Sequence, residues 1–313
     1  MKWLLKASSL LIVLSLLLFT DNSAVAREYR YHFPSRNEKL IKAKTVVGAV
    51  QTHEIKPEET LLDVARNYGL GFNELQILYP HMDPWIPEIG RNITIPTMWV
   101  LPRTKHRGIV VNIPELRLYH FFPKTGVVKT YPIGIGDLTT ETPLGTFKVA
   151  QRAVDPEWKV PPDRRERYGG VKIMPPGADN PLGQYWIGLS NRKYGIHGTN
   201  NPWSIGRSVS GGCIRLYPEH ISQFFDEVLI GTNVEIIYEP VKFGFRNREI
   251  FIEVHPDLYE KIEDLQDYTT KLMVKLGIRN FVSMEKIRRA LVKQDGVPVL
   301  VGSMAKDRDN QKR

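Results

Sequence analysis

Hydrophobic and polar positions alternate with a period of two along the middle of the chain, which is the pattern of half-buried β-strands. Turn residues, among them Pro114-Glu115, separate the apolar stretches every eight to twelve positions, a spacing typical of a β-sandwich or barrel. No regular alternation of strands with helices is visible, so the pattern argues against a doubly wound sheet. The predicted strands are 109–113, 116–121, 127–134 and 145–151.

A helical period replaces this alternation in residues 45–98. Apolar residues recur at helical spacing after Thr60, a predicted N-cap, and again over 72–78, where Pro80 ends the second helix. Short predicted strands precede and follow the two helices. The order strand, helix, helix, strand predicts a small α+β unit. The stretches 27–44 and 98–104 on either side are predicted to be linkers.

The end of the chain, residues 240–313, combines a predicted strand at 249–254 with helical periodicity over 257–276 and 283–292. This segment is therefore predicted to be an α-rich C-terminal extension. The final stretch, 305–313, is polar and charged, and it is expected to be disordered.

The N-terminal stretch 1–26 has the three parts of a signal peptide. Lys2 and Lys6 form a charged region, residues 10–19 are almost wholly apolar, and Ala24-Val25-Ala26 matches a cleavage site. The apolar run is short for a membrane span, and an uncleaved anchor is the alternative. We expect an exported protein of the periplasm or cell wall, without a stable membrane span after processing.

Composition narrows the possible functions. The hydrophobic fraction of 42% is sufficient for a core, and the net charge of +9 favours attraction to acidic surfaces. No zinc-finger spacing and no dense basic run with interleaved aromatic residues is visible, so nucleic acid is not an expected partner. The single cysteine permits no intrachain disulfide in an exported chain. A chemical role for this thiol is therefore favoured over a buried, inert one.

The neighbours of that cysteine point to nucleophilic chemistry. Cys213 follows two glycines, which let backbone N–H groups approach a substrate closely. His197 precedes it by 16 residues (213 − 197), and the intervening polar loop, 200–208, allows the two side chains to meet. An imidazole can take the thiol proton, and the charge of Arg215 favours a thiolate or binds a substrate carboxylate.

Two stretches resemble known families. The segments Tyr194-Gly195-Ile196-His197-Gly198-Thr199 and Ser210-Gly211-Gly212-Cys213-Ile214-Arg215-Leu216 resemble the signature of the L,D-transpeptidase catalytic domain, over residues 105–239. The chain departs from that signature at Gly211, where the common pattern has a second histidine. Residues 45–98 resemble a LysM domain through Pro57-Glu58-Glu59-Thr60-Leu61 and Tyr79-Pro80. They have Glu58-Glu59 where that family usually has Gly-Asp.

The catalytic-domain resemblance implies a cysteine-dependent acyl transfer on peptidoglycan stem peptides, without a metal or other cofactor. Its implied donor is a tetrapeptide stem with a diamino acid at position three and D-Ala at position four. The acceptor is an amine of a second stem or a lysine of an envelope protein. The implied roles are nucleophile and base for Cys213 and His197, oxyanion binding or support for Gly212, Ser210 and Thr199, and substrate binding for Arg215 and Gly198. Glycan is the partner implied for the LysM-like unit.

The sequence leaves alternatives open. An L,D-carboxypeptidase or an amidase on the same scaffold would use the same residues, and a non-catalytic wall-binding protein would use none of them. A papain-like peptidase is disfavoured, because its cysteine usually precedes its histidine. We also expect the loop 200–208 and the C-terminal extension to form walls of the pocket that excludes water.

Overall fold

The computed structural model describes residues 27–33, 40–191 and 193–304. The predicted signal peptide at 1–26 and the predicted disordered tail at 305–313 lie outside the described residues. The linker predicted at 27–44 was wrong at its start, because strand β1 (Arg27–Arg30) pairs antiparallel with residues 127–130. Its Tyr29 packs edge-on against Trp99, with ring centroids 5.6 Å apart. Arg27, Glu28 and Arg30 are all charged, so no alternation of hydrophobic and polar positions marks this strand in the sequence.

The N-terminal unit has the predicted order of elements. The strand pair β3–β4 is antiparallel and flanks two helices, and the second of these has the predicted bounds. Thr60 caps the first helix, where its Oγ1 accepts the Asp63 N–H at 3.1 Å and the Asp63 carboxylate accepts the Thr60 N–H at 3.0 Å. The elements are β2 (Val46–Gly48), β3 (Gln51–Glu54), α1 (Leu61–Asn67), α2 (Phe72–Leu78), β4 (Asn92–Ile95) and β5 (Met98–Val100).

The linker predicted at 98–104 was also wrong at its start. All three residues of β5 are buried, and the strand pairs antiparallel with β2. An unbroken apolar triplet has no alternation to mark it as a strand, so the sequence pattern missed it.

Within the described residues, the central sheet has nine strands in the order β1-β8-β7-β6-β17-β10-β13-β14-β16. This sheet confirms the mainly β fold class. The pairs β6·β17 and β14·β16 are parallel, and the other neighbours are antiparallel. Its strands are β6 (Gly108–Asn112), β7 (Arg117–Phe122), β8 (Val127–Pro132), β10 (Gly145–Val154), β13 (Tyr185–Leu189), β14 (Gly195–His197), β16 (Ile214–Arg215) and β17 (Asn233–Ile237), together with β1.

Smaller elements complete this domain. Helix α3 (Pro218–Glu227) places Ile221, Phe224 and Phe225 in the core with side chains of the central sheet. Strand β9 (Ile135–Gly136) pairs parallel with β15 (Ser208–Ser210), the strand just before Cys213. Strands β11 (Trp158–Lys159) and β12 (Ile173–Met174) form an antiparallel pair beyond the end of β10.

The C-terminal extension contains the two predicted helices and an antiparallel sheet in the order β18-β19-β20. Only its middle strand was predicted from the sequence. The first helix begins at Leu265 instead of 257, because Asp264 caps it by accepting the N–H groups of Gln266 and Asp267. The elements are β18 (Val241–Arg246), β19 (Glu249–Val254), α4 (Leu265–Leu276), α5 (Met284–Lys293) and β20 (Val299–Ser303).

The N-terminal unit is fixed to the catalytic domain by paired charges. Arg117 is fully buried and binds both Glu74 carboxylate oxygens at 2.6 and 2.8 Å, and Arg66 binds both Glu219 oxygens at 2.7 Å. Bidentate contacts of this kind fix orientation as well as distance. In addition, the N–H of Phe72, the first residue of α2, donates to the Ile205 carbonyl at 3.1 Å, inside the loop between His197 and Cys213. The described part of the chain contains no helix that is long and apolar enough to cross a membrane.

Candidate active site

His197 ends strand β14 and is buried, with only 3% of its surface exposed. Its ring stacks on Trp186 of the neighbouring strand, with centroids 5.7 Å apart. Its Nδ1 lies 2.6 Å from the Gly198 carbonyl oxygen. Because a carbonyl can only accept, Nδ1 carries the proton of the neutral ring and Nε2 holds the lone pair. The structure therefore orients this imidazole as a proton acceptor.

The surroundings of His197 keep it neutral. Burial is the main cause that lowers its pKa to about 3, and the positive charge of Arg215 acts in the same direction. The backbone hydrogen bonds of Gly198 and Leu182 oppose this shift. At neutral pH the ring is uncharged, which is the state that a general base requires.

Cys213 follows a turn that only a glycine adopts easily. Gly212 has φ +96°, and a Cβ atom there would lie 2.4 Å from Cε1 of Tyr194. The Ser210 hydroxyl holds this turn, since it donates to the Cys213 carbonyl at 2.6 Å and accepts the Gly212 N–H at 3.1 Å. Ser210 therefore holds the backbone of this turn, and its predicted supporting role in catalysis stays a prediction.

The Cys213 thiol is protonated at rest. Burial raises its pKa, while a backbone hydrogen bond of Gly195 and the charges of Arg215 and Arg164 act in the opposite direction. Thiol and imidazole are thus both neutral before a substrate arrives. An attack by the sulfur would therefore require a base that takes the thiol proton.

The backbone N–H groups of Gly212 and Cys213 differ in their hydrogen bonding. The N–H of Gly212 is already bonded to Ser210 Oγ. The N–H of Cys213 has no acceptor among the residues that the structure describes, so it is the free donor. Hydrogen bonds that stabilise an oxyanion need donors that point at the developing charge.

The other predicted residues have structural contacts. Thr199 Oγ1 donates to the Asn201 carbonyl at 3.2 Å and accepts the Asn201 N–H at 3.0 Å, so it closes the start of the loop 200–208. Gly198, predicted to bind substrate, orients His197 through its carbonyl, and its N–H donates to the Tyr185 carbonyl at 3.2 Å. Their predicted roles toward substrate stay predictions.

Cys213, His197 and Arg215 share one open cavity of about 670 Å³. Arg215 has no carboxylate within ion-pair distance among the described residues, and its Nε is buried without a hydrogen-bond partner. Burial lowers its pKa, which reflects the cost of holding a guanidinium away from water. An anionic group of a ligand would relieve this cost. The cavity is therefore suited to a substrate that carries a carboxylate.

The walls of this cavity are not the ones expected from the sequence. Residues 140–215 form its lining, so the C-terminal extension does not form a wall, and of the loop and strand after His197 only Ser210 contributes. One side is formed instead by the segment 155–175, whose mixed charges and prolines have no periodicity that would predict a helix or strand. The unpredicted lining side chains include Trp158, Lys159, Arg164, Tyr168, Trp186 and Lys193.

One other cluster has the side chains of a metal site. Oxygen or nitrogen atoms of Glu115, Glu253 and His255 lie within 4.8 Å of one another. The ammonium group of Lys242 is already there, 2.7 Å from a Glu115 oxygen and 2.8 Å from a Glu253 oxygen. The protein's own lysine therefore supplies the cation, and these residues do not fit a metal ion.

Comparison with known proteins agrees with this class of site, a thiol and an imidazole on a mainly β domain. Residues 106–236 match the family model of the L,D-transpeptidase catalytic domain. The chain is 35% identical over 300 residues to the probable L,D-transpeptidase ErfK/SrfK of Escherichia coli (strain K12), covering 92% of this chain and 94% of that protein. It is 39% identical over 230 residues to the probable L,D-transpeptidase YcfS of the same strain, covering 70% and 72%.

Among solved structures, the Enterococcus faecium L,D-transpeptidase C442S mutant aligns with 46% of this chain and 55% of its own, at 23% identity and a TM-score of 0.33. The match to ErfK/SrfK covers most of both chains, and this coverage shows the family. The chain belongs to the L,D-transpeptidase family, whose members act on peptidoglycan stem peptides.

Proposed function

We propose that this protein is an exported transpeptidase that transfers a stem peptide from D-Ala to an amine through a thioester on Cys213. The observation that carries the proposal is the cavity itself. It brings together a neutral thiol, a neutral imidazole with an oriented proton acceptor, and a guanidinium without a carboxylate partner among the described residues. This is the set of groups needed to cleave an amide bond next to a carboxylate without water as the nucleophile.

In the first half-reaction, Cys213 attacks the carbonyl carbon between the diamino acid and D-Ala. His197 Nε2 takes the thiol proton as the C–S bond forms, and the Cys213 N–H donates to the oxyanion. The C–N bond then breaks, and His197 returns the proton to the departing D-Ala amine. A thioester and free D-Ala are the products of this step.

In the second half-reaction, an amine attacks the thioester carbonyl and gives a proton to His197. The C–S bond breaks, and the thiolate recovers that proton. The acceptor is a diamino acid of another stem, which gives a cross-link, or a lysine of an envelope protein, which anchors that protein. Water as the acceptor would make the enzyme an L,D-carboxypeptidase.

The assay that tests this proposal is mass spectrometry of purified mature protein incubated with disaccharide-tetrapeptide muropeptides, beside Cys213→Ala. We expect loss of D-Ala with a dimeric product, and neither change with the variant. Loss of D-Ala with only tripeptide monomer would identify a carboxypeptidase instead. Release of a protein from a protein-linked stem, without any D-Ala release, would identify an amidase. Equal products from both proteins would contradict the role of the thiol.

We also propose that the N-terminal unit, residues 45–98, is a LysM-like domain that binds glycan beside the cavity. Trp85 follows α2 and Trp203 lies in the loop between His197 and Cys213. The two rings meet edge to face with centroids 5.9 Å apart, and they are 55% and 38% exposed. Exposed aromatic faces next to one another suit the apolar faces of sugar rings. The charge pairs that fix the unit would hold the glycan at one distance from Cys213.

Sedimentation of the protein with insoluble peptidoglycan tests this second proposal. In a Cys213→Ala background, Trp85→Ala should leave more protein in the supernatant. The matched control is Ile230→Ala, which removes a side chain that is 67% exposed in another part of the chain. Equal sedimentation of Trp85→Ala and the control would contradict glycan binding at this surface. Export to the periplasm or cell wall remains a proposal that depends on the signal-like residues 1–26.

A further inference from the structure

The cavity contains a second arginine that comes from outside the sequence motif. Arg164 lies in the 3-10 turn Pro162–Arg164 of the segment 155–175, and its side chain lines the cavity with Cys213 and Arg215. Its nearest acid is its neighbour Asp163, with N and O atoms 3.9 Å apart. The Asp163 side chain is 74% exposed and the Arg164 side chain 32%. An ion pair this long and this exposed contributes little to stability, so the Arg164 guanidinium is available to bind an anion in the cavity.

Arg164 occupies its position because residue 211 has no side chain. A Cβ atom at Gly211 would lie 2.2 Å from Nη2 of Arg164 and 2.5 Å from Cζ, which is closer than any non-bonded contact allows. The guanidinium therefore packs against the bare backbone two residues before Cys213. Gly211 is the position at which the chain departs from the motif it resembles. The absence of a side chain at residue 211 leaves the space that the Arg164 guanidinium fills.

Two guanidinium groups thus line one cavity, and among the described residues the only carboxylate within ion-pair distance of either is that of the exposed Asp163. The charge of Arg164 lowers the pKa of Arg215, and Arg167 of the same segment acts in the same direction. Like charges near each other raise the energy of the empty site, and an anion between them lowers it. A guanidinium presents N–H donors in a planar fork that matches a carboxylate.

We propose that Arg164, held against Gly211, forms with Arg215 a carboxylate subsite that selects the donor stem. This inference rests on the proposed function and adds to it the residue that reads the donor. The tetrapeptide stem offers a carboxylate at two places. One is the terminal carboxylate of the departing D-Ala, and the other is the side-chain carboxylate present when the diamino acid at position three is a dicarboxylic one. Arg164 is a substrate-binding residue that takes no part in the proton transfers.

Equilibrium binding to catalytically silent protein tests the subsite without turnover. Calorimetry would compare Cys213→Ala with Cys213→Ala/Arg164→Ala, using three muropeptides. These are the natural tetrapeptide, its D-Ala amide, and a stem whose position-three diamino acid is L-Lys, which has no side-chain carboxylate. We expect Arg164→Ala to raise the Kd of the natural stem about 10- to 100-fold, the worth of a charge-assisted hydrogen bond. The stem that lacks the carboxylate bound by Arg164 should lose this dependence.

The two modified stems separate the two sources. If only the amide is insensitive to Arg164→Ala, the subsite binds the terminal carboxylate. If only the L-Lys stem is insensitive, it binds the side-chain carboxylate. An equal Kd of the natural stem with and without Arg164 would overturn the inference, whatever the turnover assay gives. Absence of turnover by wild-type protein together with the expected binding change would instead contradict the proposed reaction and leave the subsite standing.

Two further variants guard against a loss of folding. Gly211→His leaves Arg164 in the chain but displaces its guanidinium, and it should raise the same Kd by a similar factor. Combining it with Arg164→Ala should add little, because both changes remove one interaction. The matched control is Lys172→Ala, which removes an exposed cation of the same segment that does not line the cavity, and it should leave the Kd unchanged. A Gly211→His protein that binds the natural stem as tightly as its parent would also overturn the inference.

Discussion

Two buried cations in this molecule have opposite surroundings. Lys242 is fully buried in the C-terminal extension, and it contacts Glu115, Glu253 and the Val100 carbonyl, the last at 2.6 Å. Arg215 is largely buried in the cavity with no carboxylate partner among the described residues. A buried charge is costly unless it is paired, so the first cation is part of the structure. The second is a group whose partner must come from outside.

The surroundings of Lys242 connect all three parts of the chain. Glu253 accepts the Val100 N–H at the end of the N-terminal unit, and Glu115 binds Tyr119 and Asn112 of the central sheet. Burial raises the pKa of Glu115, but the charge of Lys242 opposes this effect and helps lower the pKa to about 2. We therefore expect changes at this junction to lower the free energy of unfolding, and changes in the cavity to alter catalysis and substrate binding. The following variants test that division.

The largest expected effect is on catalysis. His197→Ala should lower kcat by about 10²- to 10⁴-fold, because it removes the imidazole that lines the cavity with Cys213 and is the proposed base. Steady-state release of D-Ala measures this change. His106→Ala is a matched control, since His106 is another imidazole with a lowered pKa, bound to the Pro102 carbonyl outside the cavity. A kcat of His197→Ala equal to that of this control would refute the assignment.

Lys242→Met should affect stability and not chemistry. It leaves Glu115 and Glu253 buried without a cation, and we expect the free energy of unfolding to fall by about 3–5 kcal/mol. Urea denaturation measures this loss, and kcat per folded molecule should stay unchanged. Lys271→Met is the control, because the ion pair of Lys271 with Asp267 is exposed and its loss should leave stability nearly unchanged. Equal denaturation curves for both variants would contradict the structural role of Lys242.

Arg215→Met is the complementary variant. Because no acid is left unpaired, the free energy of unfolding should stay the same or rise slightly. The KM for the donor stem should rise about 10- to 100-fold, since the carboxylate loses a charged hydrogen-bond donor. Steady-state kinetics and urea denaturation on the same preparation separate the two effects. A loss of stability as large as that of Lys242→Met, with KM unchanged, would place Arg215 among the structural cations.

The smallest expected effect is a pH dependence. The pKa of His197 is about 3 in the folded protein, and an unfolded histidine has a pKa of about 6.5. Between these values the unfolded chain binds more protons. The contribution of the neutral His197 ring to the free energy of unfolding is therefore complete above about pH 6.5. It is lost as pH falls, by at most about 1.4 kcal/mol per pH unit. Urea denaturation at pH 7 and pH 5 should show a smaller loss for His197→Gln than for wild type. Parallel losses would contradict the burial of a neutral imidazole.

The same contrast explains how much the sequence could predict. Cys213 and His197 were identifiable because a lone cysteine after two glycines is rare in an exported chain, and α2 was predicted from its helical period with the bounds observed. Strand β18 was missed. Its second residue, Lys242, is buried between two acids, whereas most lysines are exposed to solvent. The position of a charge depends on partners far away in the chain, which periodicity does not encode.

Arg164 could not be predicted for a similar reason. It belongs to a run of mixed charges that reads as a solvated loop, and only the folded chain brings it against Gly211. The one signal in the sequence was the glycine itself, at the position where the resembled motif has a histidine. Such a departure marks a site where another side chain can enter.

The central claim is that Cys213 carries the stem peptide, and intact-protein mass spectrometry tests it most directly. Wild-type protein mixed with a tetrapeptide muropeptide, without an acceptor, should gain the mass of the stem less D-Ala. Proteolysis should place this mass on the peptide that contains Cys213, and added amine should remove it. Cys213→Ala should gain nothing. A stem attached to any other residue, or D-Ala released equally by Cys213→Ala, would contradict the account.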